Sequence, residues 1–454
     1  MMINSTLDNC KTNTKEYFAS LPENETVGIY RSIKQIIFRV IIISVCLLGF
    51  LNEAKGGEHS KSKFELLTKS ADKGDAVSMY KIGHMYQKGY GVKKDYKKAL
   101  KWFNKAITKG NTAAMDDMGF MYQKGYGVKK DYKKALEWYN KSADKNNAGA
   151  MQNIGYLYQK GYGVKKDYKK ALEWFNKSAD KGNSYAMFSL GYMYIKGLGV
   201  TKDCKEALKW FHESAAKGNA SGMYGLGMMY ENDFGYTYGS YKNNKKALKW
   251  YRDAANKGDQ FAMNNLGVMY SFGLGVSKDA PKALDWYRKA IDHGSSQAII
   301  NTGNMYLFGF AGVTKDSEKA MEWFHKYAAK GNADAMFKIG DMYYNGFGKT
   351  PKNYKTAMQW FEKSAAKGNS RGMYYIGIMY KEGLGVTKNY DTAMQWFEKS
   401  AAKDNSDAIY VIGTMYQEGL GVTKNSKEGL KWIKKSAKLG NRDAKNYLDT
   451  SKWW

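Results

Sequence analysis

The stretch NTAAMDDMGFMYQKGYGVKKDYKKALEWYNKSADKN, from Asn111 to Asn146, is one copy of a pattern that recurs along most of the chain. A glycine in its first half returns ten times at intervals of 36 to 40 residues. These landmark glycines are Gly83, Gly119, Gly155, Gly191, Gly227, Gly267, Gly303, Gly340, Gly377 and Gly413. A tryptophan follows each glycine at nearly constant distance. Such self-similarity indicates one structural unit stacked repeatedly along an axis.

Each copy contains two apolar patterns with helical spacing. In the second copy, Met115 and Met118 belong to the first pattern, and Ala135 and Leu136 to the second. The glycines of the intervening Gly-Tyr-Gly-Val can adopt the positive φ values that end a helix and reverse the chain. Asp131 is suited to cap the second helix. We therefore predict antiparallel pairs of amphipathic helices.

Small and large residues within a copy predict how its two helices pack. Gly119 and Ala135 lack bulk, so the two helix axes are expected to approach closely there. Trp138 and Tyr139 are expected to fill the wider gaps. Because a glycine inside a helix costs about 1 kcal/mol relative to alanine, tight packing is the natural reason to find one there.

The pattern A-A-M-x-x-x-G-x-M-Y-x-x-G-x-G-V-x-x-D-Y-x-K-A-L-x-W-Y-x-K-A-A-x-x-G-N resembles the Sel1-like repeat, a relative of the tetratricopeptide repeat. The resemblance implies an all-α fold, a right-handed α-solenoid of about ten antiparallel helix-pair repeats. Full repeats are predicted over 74–440, within an array over 64–448 that half-repeats cap at both ends, followed by a tail over 449–454. The resemblance also implies an adaptor or scaffold role, often in exported, membrane-associated or host-interacting proteins.

The amino-terminal residues predict contact with a membrane. Residues 1–35 are polar and predicted to be disordered, 36–51 form an apolar segment, and 52–63 form a linker. The uncharged part, Val40 to Leu51, has 12 residues. This length suits a signal core of roughly 7 to 15 residues better than a membrane span of about 20. We expect a secreted or membrane-anchored protein; a poor cleavage site at Asn52-Glu53-Ala54 leaves an uncleaved anchor open, and a cytoplasmic protein is the alternative.

The residues that commonly carry enzyme chemistry are scattered. The three cysteines, Cys10, Cys46 and Cys204, lack metal-like spacing, and the five histidines never pair at ligand spacing. No serine or cysteine has a recognisable base nearby in sequence. The sequence therefore predicts a non-enzymatic protein without a cofactor. A β-lactam hydrolase, an activity linked to some proteins with this repeat, is an alternative that no residue here supports.

The formal net charge of +29 suits acidic proteins, nucleic acids or an anionic membrane surface. Three Lys-Lys-Asp-Tyr-Lys-Lys blocks, at Lys93 to Lys98, Lys129 to Lys134 and Lys165 to Lys170, would form a basic stripe at one repeat spacing. Solvated helix starts are the simplest interpretation, and contact with an acidic protein or a lipid surface is the next. A nucleic-acid-binding solenoid is the least favoured, because packing already explains the interleaved tyrosines.

First helices line the concave face in the related tetratricopeptide architecture, so their most variable positions are the candidate contacts. These positions lie two residues before and one residue after each landmark glycine. Asn153, Asn265, Asn301 and Asn304 could bond a peptide backbone, and Phe120, Tyr156, Tyr192 and Tyr375 could anchor apolar side chains. The sequence thus predicts a protein–protein interaction scaffold that binds a peptide or protein partner, with nucleic acid unlikely to be that partner.

Overall fold

A computed structural model describes residues 62–232 and 243–450, and within these ranges all regular structure is helical. The predictions for the leader over 1–35 and the apolar segment over 36–51 lie outside the described residues. So do those for nearly all of the linker and for the last four residues of the tail. The chain divides between Trp174 and Phe175 into two compact units.

The first unit begins with a helical segment over 62–72. Its helix pairs are α1 (Ala76–Lys88) with α2 (Tyr96–Thr108) and α3 (Thr112–Lys124) with α4 (Tyr132–Ala143), followed by α5 (Ala148–Lys160). Helix α6 (Tyr168–Asp180) crosses the boundary between the units. Successive pairs are homologous, so odd numbers denote first helices and even numbers second helices.

The second unit continues the same alternation. Its helices are α7 (Ser184–Lys196), α8 (Cys204–Ala216), α9 (Ala220–Asn232), α10 (Asn244–Asn256), α11 (Gln260–Phe272), α12 (Ala280–Asp292), α13 (Ser296–Phe308), α14 (Ser317–Ala328), α15 (Ala333–Asn345), α16 (Tyr354–Ala366), α17 (Ser370–Glu382), α18 (Tyr390–Ala401), α19 (Ser406–Glu418), α20 (Ser426–Lys438) and α21 (Arg442–Thr450). A single 3₁₀ turn, Phe310–Gly312, interrupts the loop of the seventh pair. A helix of an incomplete pair thus lies at each end of the ten pairs, as predicted; the handedness of the superhelix stays a prediction.

Polar side chains and glycines cap the helix ends. Asn111 caps α3, its side chain accepting a hydrogen bond from the backbone N–H of Ala114 at 2.9 Å. Asp131 caps α4 in the same way. Gly125 ends α3 in the left-handed conformation, with φ of 74°. These local interactions define where each helix begins and ends.

The landmark glycine makes room for an aromatic ring of the second helix. A Cβ atom at Gly119 would lie 2.6 Å from Cε1 of Tyr139 and 3.1 Å from the carbonyl oxygen of Ala135. The predicted close approach is confirmed, and Tyr139 is fully buried as expected. Trp138 is half-buried: it packs against the hydrophobic cluster of α2 and α3, and the Lys141 ammonium lies 4.4 Å from its ring centroid. The core aromatic is thus the residue after the tryptophan.

The second glycine of several inter-helix loops has a further role that the sequence did not reveal. A Cβ atom at Gly127 would lie 2.9 Å from the backbone carbon of Tyr96, at the start of the second helix of the preceding pair. The rings of Tyr96 and Tyr126 stack there, with centroids 4.5 Å apart. The same contact recurs in the second unit, where Gly421 approaches Tyr390. Several of the described loops therefore dock on the pair before them, whereas Gly312 of the seventh loop has no such contact.

Candidate partner-binding face of the first helices

In several repeats, the residue two positions before the landmark glycine contacts the first helix of the preceding pair. Asn153 of α5 donates to Oδ1 of Asp116 in α3, with Nδ2 and the oxygen 2.9 Å apart. Asn301 of α13 donates to Oδ1 of Asn264 in α11, also at 2.9 Å. In α17, the ring of Tyr375 lies 5.4 Å from that of Phe337 in α15. We call this line of contacts between consecutive first helices the first-helix seam.

The seam brings two predicted asparagines of the second unit into one hydrogen-bonded chain of amides. Asn264 donates to Asn265 at 3.3 Å and accepts from Asn301, which itself accepts from Gln297 at 3.0 Å. Asn265 is also hydrogen-bonded to Tyr251 of α10. Asn265 and Asn301 are half-buried and Gln297 is exposed, so the chain of amides reaches the surface.

Asn304 differs from the other predicted asparagines. It lies one turn after Asn301 on α13 and is half-buried, yet its Oδ1 atom is shielded from solvent. Within the described ranges, that oxygen has no hydrogen-bond donor. An unpaired buried acceptor costs about 1–3 kcal/mol, so this side chain lowers the stability of the free chain.

The predicted aromatic contacts differ in how much surface they offer. Phe120 and Tyr156 pack edge-on against the loop tyrosines Tyr126 and Tyr162, with centroids 6.0 and 6.1 Å apart. Tyr375 contacts the rings of Phe337, Tyr344, Phe361 and Tyr374. Burial raises the pKa of both Tyr156 and Tyr375. Tyr192 is 38% exposed, so it is the one among the four with the most accessible ring.

A carboxylate pair in α3 escaped the sequence analysis. Burial raises the pKa of Asp116 to about 6, opposed by the hydrogen bond from Asn153 and aided by the neighbouring charge of Asp117. Asp117 lies 3.0 Å from Nε2 of His84 in α1. Consecutive aspartates inside an otherwise apolar first helix were the available signal. They give the first unit a titratable group in the first-helix seam.

Two exposed aromatics of the second unit were also missed. Tyr185 and Phe261 lie six residues before their landmark glycines, and they are 63% and 55% exposed. The available signal was an aromatic residue at a repeat position that other copies fill with a small residue, such as Ala113 or Gly149. On α11, Phe261 precedes Asn265 by four residues, so both lie on one face of that helix.

Other kinds of site have little support in the described part of the chain. No group of three or more histidine, cysteine, aspartate or glutamate side chains there is arranged to hold a metal ion. No helix within 62–232 or 243–450 has both the length and the apolar character needed to cross a membrane. His212 and His325 are exposed, as expected for helix-face residues, and partial burial lowers the pKa of each.

Ten consecutive helix pairs, most of them with the landmark glycine under an aromatic ring and the tenth with Gly413 against Ile433, define an all-α solenoid of the helical-repeat class. The Sel1 repeat model matches residues 76–111, 112–147, 148–183, 184–219, 220–259, 260–295, 296–332, 333–369, 370–405 and 406–441. The chain belongs to the Sel1 repeat family. Proteins of this family are generally protein-interaction scaffolds, and their fold is generally non-catalytic.

Solved structures of similar proteins come from several bacteria. A protective antigen of uropathogenic Escherichia coli, c5321, is 32% identical, with a TM-score of 0.45 over 84% of this chain and 80% of that one. A Sel1 repeat protein from Oxalobacter formigenes is 35% identical, with a TM-score of 0.48 over 56% of this chain and 99% of that one. An immunity protein from Pseudomonas aeruginosa is 24% identical, with a TM-score of 0.37 over 48% and 81%. A search of curated proteins gave no match.

Proposed function

We propose that this protein is an interaction scaffold that holds an extended segment of a partner protein against the first helices α11 and α13. The observation that carries the proposal is the buried Oδ1 atom of Asn304, which lacks a donor within the described residues. A protein that retains such an atom loses stability in its free form. Asn304 is itself only half-buried, so rotation of its side chain on binding would let a backbone N–H of the bound segment supply the missing hydrogen bond.

The neighbouring amides suit the same ligand. A peptide backbone alternates donors and acceptors, and an asparagine amide offers both. Asn264, Asn265 and Asn301 hold one another at 2.9 and 3.3 Å, so little side-chain freedom is lost when a ligand binds. Preorganised amides of this kind favour recognition of the backbone over recognition of one side-chain sequence.

Phe261 supplies an apolar anchor beside the amides. Its ring is 55% exposed at the beginning of α11 and lies 5.8 Å from that of Tyr224 in α9. Exposed aromatic side chains contribute strongly to protein interfaces because they bury a large area at a low entropic cost. The ligand is therefore expected to place an apolar side chain over Phe261 and its backbone along Asn265 and Asn301.

A displayed library of random peptides, selected on the purified chain, tests the proposed face. Asn265→Ala with Asn301→Ala should weaken the selected peptides about ten-fold or more, because two preorganised partners of the backbone are lost. The matched control is Asn256→Ala with Asn446→Ala, which removes two exposed amides elsewhere. Equal affinity in both double variants, with helical content intact, would contradict the proposal.

Asn304 allows a sharper version of the same experiment. Asn304→Leu keeps the side-chain shape and removes the unpaired acceptor, so the free chain should gain about 1 kcal/mol of stability while its affinity for the peptides falls. Urea unfolding and peptide titration of the same preparation measure the two effects. A variant that is both less stable and equally able to bind would show that Asn304 serves packing alone.

We further propose that residues 36–51 carry the array out of the cytoplasm or hold it at a membrane. Their apolar run follows Arg31, Lys34 and Arg39, an arrangement typical of exported segments. Cell fractionation and sequencing of the mature amino terminus test this. We expect the chain in the exported or membrane fraction; a soluble cytosolic protein that begins at Met1 would overturn the proposal.

A further inference from the structure

The first unit repeats a group of four lysines at the beginning of three consecutive second helices. The groups are Lys93, Lys94, Lys97 and Lys98 before and within α2, and their counterparts at α4 and α6. All twelve side chains are exposed. The second lysine of each group has a structural role, because its Cβ atom packs on the glycine that ends the preceding first helix, as Lys130 does on Gly125. The fourth lies over a tyrosine ring, as Lys134 does over Tyr122 at 5.7 Å.

The first lysine of each group has no comparable role. Within the part of the chain that the structure describes, Lys93, Lys129 and Lys165 are exposed and have no ion pair or ring contact. Homologous sites of the second unit need no lysine, since they carry Thr201, Ser277, Thr314, Pro351, Thr387 and Thr423. The fold therefore does not explain these three charges.

The lysines in the first turns of α2, α4 and α6 also lie where their positive charge lowers the stability of the helix. A cation in the first turn opposes the helix dipole by about 0.3–1 kcal/mol. Helices α2, α4 and α6 have no acidic residue in that turn. Four second helices of the other unit do, with Glu206, Glu318, Asp391 and Glu428. A charge pattern retained against this electrostatic cost, three times in succession, indicates a ligand of opposite charge.

The contacts already made around these lysines limit which kinds of anionic ligand could bind there. The helix N–H groups are already used, since Asp95, Asp131 and Asp167 accept hydrogen bonds from them. The tyrosine rings are occupied too: Tyr96 stacks on Tyr126 and Tyr132 on Tyr162, at 4.5 and 4.6 Å. A capping carboxylate therefore lies where a phosphate would approach each helix start, and the stacked rings offer a base little free face, although the Tyr90 ring is 65% exposed. Residues 62–174, the described part of the first unit, also contain no arginine, the residue best suited to bidentate contacts with phosphate or guanine.

We infer that the lysine groups of the first unit bind an extended acidic polypeptide segment, rich in aspartate and glutamate, on the second-helix side of the array. Flexible ammonium groups suit carboxylates whose positions are not fixed. This surface lies on different helices from the asparagine face of the proposed function and does not depend on it.

Fluorescently labelled poly-L-glutamate, titrated with the full chain, tests the inference at two salt concentrations. The variant Lys93→Thr, Lys129→Thr, Lys165→Thr should bind about ten-fold more weakly than the unmodified chain at low salt, because three exposed charge pairs are lost. The control Lys205→Thr, Lys355→Thr, Lys427→Thr removes three exposed lysines from second-helix starts of the other unit and leaves the same net charge. It should change affinity less than two-fold.

Each result decides the inference. Equal weakening by the two triple variants would overturn it, since net charge alone would then explain binding. Tighter binding of a duplex oligonucleotide or of phosphatidylglycerol vesicles, lost in the first variant, would overturn it in favour of nucleic acid or lipid. Circular dichroism and thermal melting of both variants separate a loss of binding from a loss of fold, and the double substitution at Asn265 and Asn301 should leave poly-L-glutamate binding unchanged.

Discussion

Helices α3–α5 of the first unit and α11–α13 of the second share the same packing of a glycine under a tyrosine ring. Gly119 lies under Tyr139, and Gly267 lies under Tyr287. In both, a side chain one turn after the glycine contacts the tyrosine hydroxyl: Tyr139 donates to Gln123 at 2.6 Å, and the hydroxyls of Ser271 and Tyr287 are 3.2 Å apart. The packing that defines a pair is therefore kept between the two units.

The two regions differ in the first-helix seam. Asn153 donates to a carboxylate, Asp116, whereas Asn301 donates to an amide, Asn264, at the homologous site and the same 2.9 Å. Burial raises the pKa of Asp116 to about 6, and an amide cannot titrate there. One geometry thus gives a pH-sensitive contact in the first unit and a pH-insensitive chain of amides in the second. The glycine–tyrosine packing determines where the first-helix seam lies, and the residues in the seam determine whether it responds to pH.

The largest expected effect on stability comes from disrupting the glycine–tyrosine packing that the two regions share. Alanine at Gly119 or Gly267 would place Cβ 2.6 or 2.4 Å from the facing tyrosine ring. Each variant should lose about 2 kcal/mol of stability despite the better helix propensity of alanine, because the buried ring must move. Urea unfolding followed by circular dichroism measures the loss.

Gly149→Ala on α5 is the matched control for the glycine variants. Its Cβ would approach only the side-chain oxygens of Asn147 and Asp116, at 3.1 and 3.4 Å, and both can move. It should be near neutral. If Gly119→Ala and Gly267→Ala were as stable as Gly149→Ala, the landmark glycine would be unimportant for packing, and the equivalence of the two regions would rest on sequence alone.

Sequence reasoning recovered the features that lie within one repeat. The period, the helix pair, the caps at Asn111 and Asp131 and the tight approach at Gly119 all follow from short-range spacing. The role of Trp138 did not, because a tryptophan followed by a tyrosine gives no local sign of which ring enters the core. Burial shows that the tyrosine is the fully buried ring, whereas the half-buried tryptophan packs on the hydrophobic cluster of α2 and α3 beside Lys141.

The seam could not be predicted because it joins residues 37 positions apart. Its register depends on how one pair docks on the next, and the loop contact of Gly127 with Tyr96 helps to fix that docking. Asn265 and Asn301 were chosen as variable surface residues, yet both take part in contacts within the array. Asn264, which connects them, was not predicted as a contact, because it is the buried neighbour of Asn265. Whether these residues contact a partner stays a prediction.

A smaller effect on stability is expected from exchanging the seam residues, so that position 116 carries an amide and position 264 a carboxylate. The pKa of Asp116 is raised from an ordinary value of 3.8 to about 6, so the folded chain holds this proton more tightly than the unfolded chain does. The stability contributed by the protonated form is present below about pH 4, is lost as the pH rises towards 6, and stays lost at neutral pH. Asp116→Asn should therefore gain about 1–2 kcal/mol over the unmodified chain at pH 7 and little at pH 4.

The reciprocal variant completes the comparison. Asn264→Asp places a carboxylate at the homologous buried site, so it should lose a similar amount at pH 7 and recover as the pH falls to 4. Urea unfolding at both pH values measures each difference from the unmodified chain, and Asp144→Asn, which removes an exposed carboxylate, supplies the baseline for a general change of charge. If Asp116→Asn and Asp144→Asn shared one pH profile, Asp116 would behave as a solvated carboxylate, and the two regions would not differ in their response to pH.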